Sequence, residues 1–179
     1  MAVTKCAFVE HGFGQVEPNH LSAQRTGQIY AQLPMGKDVD MLENGQFAKY
    51  NYAAGEVNFA GDSEWMLVFN AVKVYDEVKG EYDADYAMVK PVAGDGKAPV
   101  VGVSTDVVPR LFKTNIGDIF TTNTVKDVIS ADLVGKVLYV GADGYLTSSE
   151  ASASAMQWQV IKFYTMPDGQ RGVKIMRIA

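Results

Sequence analysis

The segment Val137-Leu-Tyr-Val-Gly-Ala-Asp143-Gly144-Tyr-Leu146 indicates how this chain folds. Two short runs rich in Val, Leu and Tyr flank an Asp-Gly pair, and such a pair tolerates the positive φ that a tight turn between antiparallel strands requires. The segment therefore predicts a β-hairpin. Asn44-Gly45 predicts a second hairpin with a type I′ turn, and Pro167-Asp168-Gly169 predicts a third.

Outside these hairpins, short runs of Val, Ile, Tyr and Phe alternate with turn signals along most of the chain. Helical patterns are few. The segment Thr124–Leu133 has apolar residues at helical spacing behind a capping-box pattern, and it predicts a helix of at most about two to three turns. The expected fold is therefore mainly β, with at most one or two short helices.

The two halves of the chain resemble each other in the spacing of their glycines. A shift of 90 residues, reduced to 89 after one deletion, places five glycines of the first half on glycines of the second. Because turns that need positive φ favour Gly, this register indicates a tandem internal repeat. The matched pairs include Gly27 with Gly117, Gly45 with Gly135 and Gly55 with Gly144.

The repeat predicts two similar small β units, barrel-like or sandwich-like, at residues 1–90 and 91–179. The stretch Lys90–Gly96 has the composition of a linker and marks the boundary. We expect the regions from about residue 12 to 90 and from about 102 to 179 to be superposable. The sequence does not decide whether the two units are separate or pack as one domain.

Charge and composition narrow the class of protein. The net charge is −5, from 16 basic and 21 acidic residues, without the basic cluster that a nucleic-acid binder normally presents. No apolar run approaches the ~20 residues of a membrane-spanning helix. The N-terminal segment Met1–Glu10 is too short and too polar for a signal peptide. We therefore expect no nucleic-acid or membrane partner and synthesis in the cytoplasm. Cys6 is the single cysteine, which excludes an intrachain disulfide.

Residues that could perform catalysis or bind a metal are sparse. Cys6 could pair with His11 or His20 as a nucleophile and base, but a buried thiol and two exposed loop histidines explain the same residues. Two acidic pairs could offer oxygen ligands to calcium, although solvated loop charges explain them better. These pairs are Asp38 with Asp40 and Asp83 with Asp85. We expect no enzymatic activity, no catalytic residue, no cofactor and no metal.

The second half of the chain resembles a known type of virion protein. Two stretches, Gly117-Asp118-Ile119-Phe120-Thr-Thr-Asn123 and Val134-Gly135-Lys-Val137-Leu-Tyr-Val140 to Thr147, are similar to tailed-bacteriophage head decoration, or cement, proteins. In that family a strand entered through Gly-Asp is followed by a Gly-x-Val-x-Tyr-Val hairpin. The segment from Met41 to Val57 resembles the same element more loosely, and the match covers about a third of the chain.

The resemblance implies a non-enzymatic structural protein of the virion that lies on the capsid surface and binds and stabilises the shell. Its partner would be the major capsid protein, bound in multiple copies, with homo-oligomerisation left open. The expected contacts are in the N-terminal segment Ala2–Phe13 and at the hairpin tips. The candidate residues are Val3, Phe8, Phe13, Asn44 and Asp143.

The N-terminal segment has two interpretations. As an edge strand, Ala2–Phe13 could pair with a strand of the capsid through its backbone N–H and C=O groups. Alternatively, it completes the sheet of its own unit. Two other functions also fit the sequence: a phage tail, tube or connector component, and a small β-barrel ligand-binding or hydrolytic protein with Cys6, His11 and His20 near its site.

Overall fold

The computed structural model describes residues 14–39, 41–70, 87–89, 107–149, 155–166 and 169–179. The fold is mainly β, as predicted, with one short α-helix, α1 (Ser22–Thr26), and a 3₁₀ turn at Ala131–Leu133. The strands are β1 (Val16–His20), β2 (Ile29–Tyr30), β3 (Met41–Glu43), β4 (Phe47–Asn51), β5 (Glu56–Asn58), β6 (Met66–Val68), β7 (Ala87–Val89), β8 (Leu111–Phe112), β9 (Ile119–Thr122), β10 (Val137–Val140), β11 (Leu146–Thr147), β12 (Gln157–Thr165) and β13 (Arg171–Arg177). None of the helices in the described part of the chain has the length and hydrophobicity that crossing a bilayer requires.

The described strands form two principal sheets and a two-stranded ribbon. The larger sheet has the order β1-β9-β13-β12-β10-β11, the smaller has β2-β8-β6-β4-β5, and β3 pairs with β7. When β1 is left out, the strands of both sheets follow the same order. If the five strands of each sheet are counted along the chain, their order across the sheet is first, fifth, fourth, second, third. The tandem repeat that would explain this order stays a prediction.

Two strands lie in the sheet of the other half of the chain. Strand β1 pairs with β9 of the larger sheet. Strand β8 lies between β2 and β6 of the smaller sheet, where Leu111 faces both Tyr30 and Val68. Each of the two sheets therefore contains strands from both sides of residues 90 and 91, and the division into two units at this point stays a prediction.

The main hydrophobic cluster contains buried residues from both halves. At its centre the Trp158 ring packs 5.6 Å from Phe47 and 5.0 Å from Phe120, measured between ring centroids. Tilted and edge-to-face arrangements of this kind add to the stabilisation that burial of large rings already gives. A second cluster lies around Leu42, Tyr50 and other residues of the first half, and it includes Leu111.

Two of the three predicted hairpins are confirmed. Strand β10 pairs with β11, and β12 pairs with β13. The prediction for Asn44-Gly45 is wrong, because β3 pairs with β7 whereas β4 pairs with β5 and β6. Gly45 has φ +93°, but no non-glycine residue in the described part of the chain has a positive φ, so a type I′ turn at Asn44-Gly45 is excluded. The turn instead redirects the chain from the ribbon into the smaller sheet.

The predicted helix at Thr124–Leu133 is also wrong, apart from its last residues, which form the 3₁₀ turn. The backbone at the start of this segment bonds to β11. Val125 forms a parallel bridge with Leu146, and the Lys126 N–H donates to the Leu146 carbonyl at 2.9 Å. Since β11 lies at the edge of its sheet, this pairing covers an otherwise open edge.

The buried carboxylate of Asp118 joins the two halves of the chain. It accepts hydrogen bonds from the Ser22 N–H at 2.9 Å, the Ser22 hydroxyl at 2.8 Å and the Asn115 N–H at 2.9 Å. Ser22 is the first residue of α1, and Leu21 before it has no side-chain capping bond. A residue nearly a hundred positions away thus provides the negative charge and the acceptor that a helix start favours.

We expect Asp118→Asn to destabilise the fold by about 2 kcal/mol, because an amide retains one acceptor oxygen where the carboxylate uses two. Urea denaturation followed by circular dichroism measures this change. Asp62→Asn, at an exposed position, is the matched control and should change stability by less than about 0.5 kcal/mol. Equal stability of the two variants would contradict the proposed role of Asp118.

Candidate functional site

The structure describes two of the five predicted partner contacts. Asn44 and Asp143 lie in described turns, whereas Val3, Phe8 and Phe13 lie outside the described residues. Of the residues considered for catalysis, His20 is exposed at the end of β1. Cys6 and His11 lie outside the described residues, as do three members of the two acidic pairs, Asp40, Asp83 and Asp85.

The turns that contain Asn44 and Asp143 pack directly against each other. The Phe47 N–H donates to the Gly144 carbonyl at 2.8 Å, and the Gln46 side-chain amide donates to the Asp143 carbonyl at 3.1 Å. The backbones approach so closely that a Cβ on Gly144 would lie 2.0 Å from the Phe47 carbonyl oxygen. Two turns that were predicted to be hairpin tips thus form one junction between the sheets.

Asn44 lies on the inner side of this junction, so the expectation that it is an exposed hairpin tip is wrong. It is 5% exposed. Its side chain donates to the Asn70 carbonyl at 3.0 Å and accepts from the Asn70 N–H at 2.7 Å. Because both ends of the amide bond to the backbone, Asn44 holds the segment after β6 against the turn and offers little surface to a partner.

Asp143 lies on the outer side. Its Oδ2 is 2.5 Å from the Lys126 Nζ, and both side chains are about half exposed, at 43% and 52%. Next to Lys126, the carboxylate of Asp127 accepts from the Ser148 N–H at 2.6 Å and from its hydroxyl at 2.7 Å. These bonds fix the loop after β9 alongside the β10–β11 hairpin.

Val128, the residue after Asp127 in this loop, is 77% exposed. We call the surface formed by Lys126, Asp127, Val128, Asp143 and Ser148 the hairpin surface. Its charge pair adds little to stability, because exposed ion pairs typically contribute no more than about 1 kcal/mol. Burial of the Val128 side chain against a partner would contribute about 2 kcal/mol. The hairpin surface therefore combines an exposed apolar side chain with a charge pair that contributes little to the stability of the fold.

Beneath the hairpin surface lies a buried carboxyl group, that of Glu43. The Tyr145 hydroxyl donates to its Oε2 at 3.4 Å, and the Gly14 N–H also bonds to it, whereas Oε1 has no hydrogen-bond partner. Burial raises the pKa of Glu43 to about 8, although both hydrogen bonds act in the opposite direction. At neutral pH Glu43 is mainly protonated in the folded protein, which removes the cost of an unpaired buried charge.

Sequence reasoning missed Glu43 and Val128 for different reasons. Glu43 follows Leu42 in a three-residue strand, and both are fully buried, so the alternation that normally places a charged residue in solvent does not apply. Val128 belongs to the segment that helical periodicity assigned to a helix. The pairing of Val125 with Leu146, which exposes the loop, depends on a strand distant in sequence.

The described residues contain no group of three or more His, Cys, Asp or Glu side chains that could hold a metal ion. Comparison with known proteins adds no relative, since no family model, curated protein or solved structure matches the chain.

Gly144→Ala should destabilise the protein much more than Gly135→Ala. Both glycines have positive φ, +80° and +84°, so both variants carry backbone strain of about 1 kcal/mol. Only at Gly144 does the new methyl group also meet the Phe47 carbonyl, while at Gly135 it meets nothing within 4 Å. We expect an additional loss of about 2 kcal/mol or more at Gly144, measured by urea denaturation. Similar losses in both variants would argue against the close contact of the turns.

Glu43 should make stability depend on pH in a defined direction. Between pH 4.5 and about 8 the unfolded chain releases the Glu43 proton while the folded protein retains it. The free energy of unfolding should therefore fall as pH rises through this range and level off above it. Glu43→Gln should flatten this slope, whereas Glu17→Gln, on strand β1, should preserve it. Denaturation curves at half-unit pH intervals measure the slopes, and an unchanged slope in Glu43→Gln would contradict the assignment.

Proposed function

We propose that this chain is an auxiliary capsid protein of a tailed bacteriophage, a head decoration or cement protein that binds the assembled shell and stabilises it. The proposal rests first on the resemblance of residues 117–123 and 134–147 to such proteins. In this chain these segments form strand β9 and the β10–β11 hairpin. The presence of the β10–β11 hairpin in the fold supports this resemblance. The binding of a capsid is our proposal.

The observation that carries the proposal is the exposure of Val128 on a loop that hydrogen bonds hold against this hairpin. Single exposed aliphatic residues are common on protein surfaces. Here, however, the side chain lies in the loop that joins the two resembling segments, two residues after Lys126 of the charge pair Lys126–Asp143. An apolar residue bordered by fixed charges gives a partner both contact area and orientation.

Such a surface suits binding to many identical sites on a preassembled lattice. Because the loop and hairpin are already fixed by hydrogen bonds, little conformational entropy is lost when they dock. We infer that the hairpin surface contacts the major capsid protein and that multiple copies occupy equivalent positions on the virion. The N-terminal segment Ala2–Phe13 remains a second predicted contact.

Co-sedimentation of the purified protein with shells that lack it tests this function. The intact chain should pellet with shells in a saturable manner. We expect Val128→Asp to weaken binding by about tenfold or more, because the substitution removes apolar contact and adds a charge that must be desolvated. Val134→Asp is the matched control. Val134 is also exposed, but it lies at the opposite end of β10 from the turn containing Asp143.

Binding of the intact chain to isolated tails but not to shells would favour a tail or connector component and overturn the proposal. Equal shell binding by Val128→Asp and Val134→Asp would preserve a decoration function but remove the hairpin surface from it. Circular dichroism of both variants confirms that a loss of binding does not arise from unfolding.

A further inference from the structure

A second surface, distinct from the hairpin surface, is a groove where β4 and β6 of the smaller sheet approach the ends of β12 and β13. Its volume is about 530 Å³. We call it the tryptophan groove. The residues that line it are Lys49, Glu64, Trp65, Ala155, Met156, Arg177 and Ala179.

Positive charge predominates around the tryptophan groove. Lys49 places its Nζ 4.7 Å from the centre of the Trp65 ring. Arg177 donates from Nε to the Ala179 carbonyl at 3.0 Å and from Nη1 to the Thr114 hydroxyl at 3.0 Å and to the Thr114 carbonyl. Within the described ranges, no Asp or Glu side chain pairs with either cation, and the Ala179 oxygen that Arg177 contacts belongs to the last residue of the sequence.

The one carboxylate side chain that lines the groove, that of Glu64, is already paired. Its Oε1 lies 2.8 Å from the Nζ of Lys113, and this hydrogen bond raises the pKa of the Lys113 ammonium. Lys113 thereby offsets the charge of Glu64, and Arg177 already bonds to Ala179 and Thr114, which leaves Lys49 as the groove cation that a ligand can contact. This positive charge is local, since the whole chain carries a net charge of −5.

The groove also offers apolar surface next to these cations. Met156 is buried beneath it, and the Trp65 indole is partly buried. A thioether and an indole together favour aliphatic or aromatic groups. A ligand that fits has a negatively charged group for Lys49 and, a few ångströms away, an apolar group for Trp65 and Met156.

We propose that the tryptophan groove binds an extended peptide segment in which a carboxylate side chain lies next to an aromatic or aliphatic one. The carboxylate contacts the Lys49 ammonium, and the apolar side chain packs on Met156 and on the edge of the indole. A single-stranded nucleic acid is also anionic and aromatic, but it stacks on open ring faces. Here Lys49 lies over the Trp65 ring and Glu64 borders the groove, which favours the peptide.

Intrinsic fluorescence provides a direct assay, because the chain has two tryptophans and the other, Trp158, is fully buried. The full-length protein is titrated with the capped peptide Ac-Asp-Phe-Asp-Val-NH₂ and, as a control, with Ac-Asn-Phe-Asn-Val-NH₂. We expect a saturable change in fluorescence with the acidic peptide, weakened by added salt, and at least about tenfold weaker binding of the amide peptide.

Matched variants locate the binding. Lys49→Met keeps the aliphatic stem and removes the charge, so it should weaken binding of the acidic peptide by about tenfold. Lys136→Met changes the same charge at an exposed position that does not line the groove and should leave binding unchanged. Circular dichroism establishes that both variants fold.

Three results would overturn the proposal: equal binding of the two peptides, unchanged affinity in Lys49→Met, or tighter binding of an oligothymidylate than of the acidic peptide. The titration contains no shells, so its outcome is independent of whether the chain decorates a capsid.

Discussion

The hydrogen bond from the Phe47 N–H to the Gly144 carbonyl is the contact on which the arrangement of the molecule depends. It joins the first residue of β4, in the smaller sheet, to the turn between β10 and β11, in the larger one. Glycine at position 144 permits this approach, because a Cβ there would overlap the Phe47 carbonyl. The side chain of Phe47 then reaches Trp158 and Phe120, so the aromatic core contains residues from both halves of the chain.

Close approach of two backbones leaves polar groups buried at the junction, and most of them pair with one another. The Thr124 hydroxyl donates to the Asn44 carbonyl at 2.7 Å, and the Gln46 side chain accepts from the Glu43 N–H at 2.8 Å. Glu43 differs, since one carboxyl oxygen has no partner and burial favours its neutral form. The same junction that fixes the hairpin surface therefore couples the stability of the fold to pH.

Local sequence patterns predicted those elements whose partners are adjacent in the chain. The hairpins β10–β11 and β12–β13 were predicted because their turns and strands lie in one short segment. Asn44-Gly45 has an equally strong turn pattern, yet β3 and β4 pair elsewhere because Phe47 and Asn44 bond to distant backbone. Helical periodicity at residues 124–133 failed for the same reason, since β11 takes up the backbone of Val125 and Lys126. Within the hairpin surface, the outward position of Asp143 was predictable from its turn. The exposure of Val128 was not, because it depends on the long-range pairing of Val125 with Leu146.

The central claim is that contact between the two turns makes both sheets one cooperative unit. Native-state hydrogen exchange of individual amides tests it most directly. The relevant amides are Phe47 at the junction, Val68 in the smaller sheet, which bonds to Gln46, and Val160 in the larger sheet, which bonds to Lys136. We predict that all three exchange with the free energy of global unfolding. Exchange of Val68 through an opening of clearly lower free energy, with Val160 still protected, would contradict the account.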